Sequence, residues 1–131
     1  MDKIKTYMNK NVVSVDHTAT VMETVQLMAE RNIGSAVVMK NGALVGIFTE
    51  TDLLKKIVAV EAHPERIGVE RVMSEKIYTE DLNASMAAAL VKMEQHDIRH
   101  LVILDGKDLI GMLSIRDLVR YIVGKFSLKK E

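Results

Sequence analysis

Two seven-residue stretches place a hydroxyl and a carboxylate where an apolar run gives way to a helical pattern. They are Gly46-Ile47-Phe48-Thr49-Glu50-Thr51-Asp52 and Gly111-Met112-Leu113-Ser114-Ile115-Arg116-Asp117. Thr49 and Ser114 are good helix N-caps, and Asp52 and Asp117, three residues on, are acids placed to favour the helix dipole. Capping alone explains each motif. The same geometry also suits a phosphorylated nucleoside: N–H groups and hydroxyls at a helix start attract phosphate, and an aspartate accepts two hydrogen bonds from a ribose diol. Side-chain and backbone atoms can serve both ends, so the motifs by themselves leave both readings open.

Little else in the chain could do chemistry. His96 and His100 are four apart, but the second begins a strand-like run, so the imidazoles would not share a helix face as a zinc pair must. His17 and His63 sit in loop-like stretches, where solvent-exposed or helix-flanking roles are expected. There is no Gly-rich phosphate loop, no Gly-x-Ser-x-Gly elbow and no His-Glu-x-x-His, and the absence of cysteine removes disulfides, thiolate nucleophiles and Cys-rich zinc sites together. No catalysis is expected. Lys+Arg and Asp+Glu both count 18 and the isoelectric point is about 6.9, which disfavours nucleic acid as a partner despite the basic tail at Lys125, Lys129 and Lys130. Two Phe and three Tyr offer few platforms for stacked bases. The start, Met-Asp-Lys-Ile-Lys, lacks the apolar core of a signal peptide, and no run approaches the ~18 apolar residues of a membrane span. A cytoplasmic protein is expected, without membrane contact.

The elements that must position the two motifs come from a repeat. Sliding the chain against itself by 65 residues sets Met8 on Met73, Asp16 on Asp81, Met28 on Met93, Gly46 on Gly111, Asp52 on Asp117 and Ile57 on Ile122. The protein therefore reads as two copies of one unit. Each copy runs strand, helix, strand, strand, helix. In the first, Val12–Val15 is a β-branched strand, and Thr20 with Glu23 has capping-box spacing ahead of a helix through Arg31. Strands Ala36–Met39 and Ala43–Phe48 flank Asn41-Gly42, a strong hairpin signal. A helix Glu50–Val60 follows, with Leu53, Leu54, Ile57 and Val58 expected inside. The second copy repeats this with strands Ile77–Thr79, Leu101–Leu104 and Leu109–Leu113, and helices Met86–His96 and Ile115–Val123.

The boundaries expected are residues 1–60 for the first repeat, 61–71 for a polar linker holding the lone proline, Pro64, and 72–131 for the second repeat with a frayed Lys-rich tail. One copy of about 50 residues would bury too little surface to stand alone. Nine methionines, including a stripe at Met22, Met28, Met86 and Met93, read as adaptable core packing.

The duplicated unit resembles a pair of CBS domains, the cystathionine-β-synthase-type regulatory module, over Met8 to Val123. The likeness is carried by Tyr-Met-Asn-Lys-Asn-Val-Val-Ser-Val and its counterpart Val-Met-Ser-Glu-Lys-Ile-Tyr-Thr, by Arg31-Asn32-Ile33-Gly34-Ser35, by Asp97-Ile98-Arg99-His100-Leu101-Val102, and by the two glycine-to-aspartate motifs. It implies an α/β (α+β) fold of two pseudo-symmetric β-α-β-β-α repeats, with small sheets packed together and helices outside. It implies homodimers, and a stand-alone regulatory module binding an adenosine ligand of the AMP, ADP or ATP class, with S-adenosylmethionine and NAD as further candidates. No obligatory cofactor or metal is implied, and the partner protein is not named by the sequence.

Carried over by that resemblance, one cleft between the copies uses Thr49, Thr51 and Asp52 with Thr79, Ala84, Arg99 and His100. Asp52 holds the ribose hydroxyls, the threonines donate to phosphate, and Arg99 with His100 supplies positive or switchable charge. The second cleft uses Ser114, Arg116 and Asp117 with Ser14, Ala19, Gly34 and Ser35. Arg116 departs from the family pattern, which often has a small hydroxyl there, and no cation stands at Gly34 or Ser35. The Asp52 cleft therefore ranks first. The competing expectation is an oligomerisation scaffold without ligand, its motifs kept as caps.

Overall fold

The computed structural model describes residues 2–127. The chain divides into two compact units, a central one, Val12–Ile77, and a terminal one made of Met1–Asn11 with Tyr78–Glu131.

The central unit is built on a three-stranded sheet of order β1-β2-β3, from β1 (Ser14–Asp16), β2 (Ser35–Lys40) and β3 (Ala43–Thr49). β1 runs parallel to β2, with Ser14 opposite Val37, and β2 antiparallel to β3, with Ser35 opposite Thr49. The β2–β3 turn places Asn41 at φ 51° and Gly42 at φ 80°, the two left-handed residues that a tight hairpin of this hand requires. Helix α2 (Val21–Arg31) starts on the Thr20/Glu23 capping box. It ends on Asn32 at φ 55°, a conformation asparagine tolerates better than most residues. Val13, Val21, Met28, Ala36, Val38, Phe48, Ile57, Val69 and Met73 form the core.

The terminal unit repeats the plan with β4 (Thr79–Asp81), β5 (His100–Asp105) and β6 (Asp108–Ser114), in order β4-β5-β6. Helix α4 (Met86–His96) is capped by Ser85. Ile4, Met86, Ala89, Met93, Leu101, Ile103, Leu113 and Leu118 fill its core, so Met28, Met86 and Met93 pack as the stripe predicts and Met22 is half-buried. Among the described residues no helix is long and apolar enough to cross a membrane.

Several boundaries differ from those read in the sequence. β1 and β4 each begin two residues later than expected: the parallel ladder to β2 and β5 pairs Ser14–Asp16 and Thr79–Asp81, and Val13 and Tyr78 before them lend it a carbonyl each, to the Val37 and Val102 N–H groups. The helix after β3 is a short α-turn, α3 (Glu50–Asp52), continued by a π-helical turn, Leu53–Val58. Only Ile57 of its apolar residues is fully inside, and Leu54 and Val58 are exposed. Helix α5 (Ile115–Ser127) outruns the expected end at Val123, whereas Lys129 and Lys130 lie outside the described residues.

The largest difference concerns the segments leading into each repeat. The sequence assigns residues 1–60 to one repeat, yet helix α1 (Ile4–Tyr7) packs in the terminal unit. Ile4 is fully buried there, and backbone bonds tie Ile4 to Ala84 and Asn9 to Met112. Residues 61–71 are likewise no mere polar linker: Val69 is buried in the central core, Val21 bonds to Ile67 and Val69 to Ala19. Apolar burial, not proximity in sequence, decides where these leads settle.

Candidate functional site

Each motif ends its sheet's last strand and starts a helix, and in both units the same cap forms. In the central unit the Thr49 backbone N–H donates to Asp52 Oδ2 at 3.0 Å and the Thr49 hydroxyl to the same oxygen at 3.3 Å. The Asp52 N–H returns a bond to Thr49 Oγ1 at 3.4 Å. In the terminal unit Ser114 N–H and Oγ donate to Asp117 Oδ2 at 2.8 and 3.2 Å, and Asp117 N–H donates to Ser114 Oγ at 3.3 Å. Both carboxylates are buried, an environment a charge occupies only when hydrogen-bonded. The capping half of the motif reading is thus present in full.

The second oxygen distinguishes the units. Asp52 Oδ1 faces the Lys56 ammonium at 3.0 Å and accepts from Ser74 Oγ at 3.5 Å; Lys56 also donates to the Val72 carbonyl at 2.8 Å. Asp117 Oδ1 has the exposed Arg120 guanidinium at 3.6 Å. Lys56, Ser74 and Arg120 were not among the residues expected. The Asp52–Lys56 spacing of four is a legible helical ion-pair signal, but Ser74 arrives from 22 residues away and carries no local signal.

The terminal-unit residue equivalent to Lys56 is Tyr121, and it points elsewhere. Its hydroxyl donates to Asp2 Oδ2 at 2.9 Å, and Lys125 reaches the same oxygen at 3.1 Å. The bond from Lys125, then that from Tyr121, holds Asp2 below the usual carboxylate range, while Asp2 raises both Tyr121 and Lys125. Tyr7 packs edge-on against Tyr121 at 5.0 Å.

Of the remaining expected residues, Gly34, Ser35, Arg99 and His100 fall at the same sheet ends as the motifs, whereas Ala19 and Ala84 follow β1 and β4 at the opposite ends. Of the first set, Thr49, Thr51 and Asp52 belong to the central unit and Thr79, Ala84, Arg99 and His100 to the terminal one. Of the second, Ser14, Ala19, Gly34 and Ser35 are central, and Ser114, Arg116 and Asp117 terminal. Within the central unit Ser35 lies opposite Thr49 and Glu50 N–H donates to the Gly34 carbonyl at 3.1 Å. A Cβ on Gly34 would strike the Glu50 side chain. Within the terminal unit His100 lies opposite Ser114, and Ile115 N–H donates to the Arg99 carbonyl at 2.9 Å. Thr51, Arg99 and Arg116 are exposed, as is Ser14. Ser35 Oγ is buried with no hydrogen-bond partner.

His100 does not supply the charge expected of it. Burial pushes its pKa down to about 4, against a smaller raising effect of Asp117 and with Arg99 adding to the fall, so the ring is neutral at physiological pH. The other histidines hold structural contacts: His17 meets Glu70 at 3.4 Å, His63 lies 4.0 Å from Glu65, and His96 stacks on Tyr78 at 4.2 Å. His96 closes a helix and His100 opens a strand, and among the described residues no cluster of three metal-ligating side chains occurs.

Two three-stranded sheets, each closed by a capped helix with a buried aspartate at its third position, define a tandem repeat of one small α/β module. The CBS domain model matches residues 4–59 and again 69–124, and the chain belongs to the CBS domain family. The CBS domain-containing protein YhcV of Bacillus subtilis is 31% identical over 118 residues, 90% of this chain and 84% of its own. Among solved structures, the CBS domain protein PAE2072 from Pyrobaculum aerophilum, complexed with AMP, superposes with a TM-score of 0.82 at 27% identity, covering 95% of this chain and 98% of that one. The hexameric CBS-CP12 protein from bloom-forming cyanobacteria gives a TM-score of 0.87 at 26% identity, over 100% of this chain and 76% of its own.

Proposed function

We propose that the chain is a stand-alone regulatory module that takes an adenosine ligand of the AMP, ADP or ATP class and passes its occupancy to a partner protein. It acts in the cytoplasm without catalysis of its own. The observation that carries this reading is the near full-length likeness to a relative complexed with AMP, on a scaffold with a buried carboxylate at each strand-to-helix junction. An ionised carboxylate offers about four acceptor positions, so a capping oxygen leaves another to receive a ribose diol. The proposed contacts are Thr49, Thr51, Asp52, Thr79, Ala84, Arg99 and His100 for one ligand, and Ser14, Ala19, Gly34, Ser35, Ser114, Arg116 and Asp117 for a second. With His100 neutral, Arg99 is the cation of the first set available to a phosphate. Homodimerisation completes the proposal, supported by the exposed α5 stripe of Ile115, Val119, Ile122 and Val123 and by the hexameric relative.

Thermal shift and calorimetry with AMP, ADP, ATP, S-adenosylmethionine and NAD test the reading. A ligand that binds only the native state stabilises it by about 2.7 kcal/mol at a hundredfold excess over Kd. At least one adenosine ligand is expected to raise Tm, and the doubly substituted Asp52→Ala/Asp117→Ala chain to lose the shift. A second reading, a ligand-free scaffold, is favoured by the engagement of Oδ2 of both aspartates in the caps. It predicts no shift from any of these compounds.

A further inference from the structure

The two aspartates differ in how many of their acceptor positions are already filled. At Asp52, two donors from Thr49 meet Oδ2, and Lys56 and Ser74 meet Oδ1. The 3.5 Å contact from Ser74 is too long for a full hydroxyl bond, so Asp52 carries three close donors, one of them an ammonium. The lysine is anchored twice, on Asp52 and on the Val72 carbonyl. At Asp117, Oδ2 carries the same two cap bonds, but the ion pair at Oδ1 is a 3.6 Å approach of an exposed arginine, longer than a hydrogen bond.

The lysine has a counterpart in the terminal unit that is diverted: Lys56 corresponds to Tyr121, whose hydroxyl donates to Asp2. Ser74 corresponds to Asn9, whose side-chain oxygen accepts from the Asn11 N–H at 2.8 Å.

We infer that Lys56 is a specificity-determining residue that closes the Asp52 position to a ribose diol, so that the chain takes a single adenosine ligand through Asp117. The inference rests on the adenosine reading above and reverses the ranking expected from sequence, which weighed Arg116 against Arg99 but not what each aspartate already holds. A diol at Asp52 must displace a close ammonium from Oδ1; at Asp117 no cation stands within hydrogen-bond distance. The lysine is a replacement for the ribose donors, supplied in cis and fixed by the helix turn that bears it.

Isothermal titration with AMP, with ATP run beside it, tests this on the wild type and on Lys56→Met, Asp117→Ala and Asp52→Ala chains, each checked for native circular dichroism. The wild type is expected to take one nucleotide per chain, Asp117→Ala to weaken it at least tenfold, and Lys56→Met to take two. Lys56→Met leaves both caps whole, so it decides the matter even if an alanine variant fails to fold. A Lys56→Met stoichiometry that stays at one overturns the role of the lysine. Loss of binding in Asp52→Ala with binding retained in Asp117→Ala overturns the choice of aspartate while sustaining the adenosine reading. Heat from neither nucleotide, in wild type and Lys56→Met alike, overturns the adenosine reading itself.

Discussion

The central and terminal units share a plan and a 65-residue offset, yet they are closed by different means. Each sheet receives the lead segment of the other repeat. In the central unit Met73 lies over Gly46 and Ser74 pairs with Ile47. In the terminal unit Met8 lies over Gly111 and Asn9 pairs with Met112. Val69 and Ile4, equivalent by the same offset, are the buried anchors of the two leads. The difference lies in the polar layer around them: a lysine and serine converge on Asp52, whereas a tyrosine and lysine gather on Asp2 and leave Asp117 aside. Duplication therefore preserved the apolar frame, which tolerates only conservative exchange, and let the charged layer diverge.

The anchors give the sharpest test of that equivalence. Ile4→Ala is expected to cost about 2–5 kcal/mol, as for other buried isoleucines, and Val69→Ala less by about one methylene. Urea unfolding reads both, and an Ile4→Ala chain with an unchanged midpoint would show that the first lead does not close the terminal unit. Next in size is a pH effect confined to that unit. The folded pKa of His100, about 4, lies below its unfolded value near 6.5, so the unfolded chain binds the proton more readily. Its contribution is complete above pH 6.5 and is lost as pH falls toward 4, by up to about 3 kcal/mol. His100→Ser, which installs the residue found at the equivalent Ser35, is expected to flatten Tm against pH across that window.

The glycines give the smallest contrast. A Cβ on Gly46 would press on Sδ of the buried Met73 and come to 2.7 Å from its Cγ, whereas on Gly111 it would meet Sδ of the half-buried Met8 at 2.7 Å and the Asn9 carbonyl oxygen at 3.2 Å. Overpacking of this kind costs about 1–3 kcal/mol where the neighbour cannot yield. Gly46→Ala is expected to lower Tm more than Gly111→Ala, and equal losses would mean the two leads are held alike.

What the sequence showed was what short range decides. The Thr20/Glu23 box, the caps at Thr49 and Ser114 and the Asn41-Gly42 turn are all set within four residues. The helical pattern found Met28 and Ile57, but it also placed Leu54 and Val58 inside, since period alone does not give the width of the buried face. The partner of each lead, the burial of His100 and the approach of Ser74 to Asp52 depend on contacts across the fold. No local pattern encodes them. The Asp52–Lys56 pair is legible in its helical spacing of four, but spacing alone does not say whether the lysine turns onto the aspartate or out to solvent.

The exchange of lead segments also sets an order of assembly. Every part of the central unit lies between Val12 and Ile77, so its core is complete once that stretch has left the ribosome. The terminal unit joins Tyr121 to Asp2 across 119 positions, and closing so long a loop is entropically dear and slow. Helix α1 is made before the strands it packs against. During synthesis Ile4 must wait, exposed, for strands that do not yet exist, and in that interval a chaperone or a second nascent copy would have its opportunity.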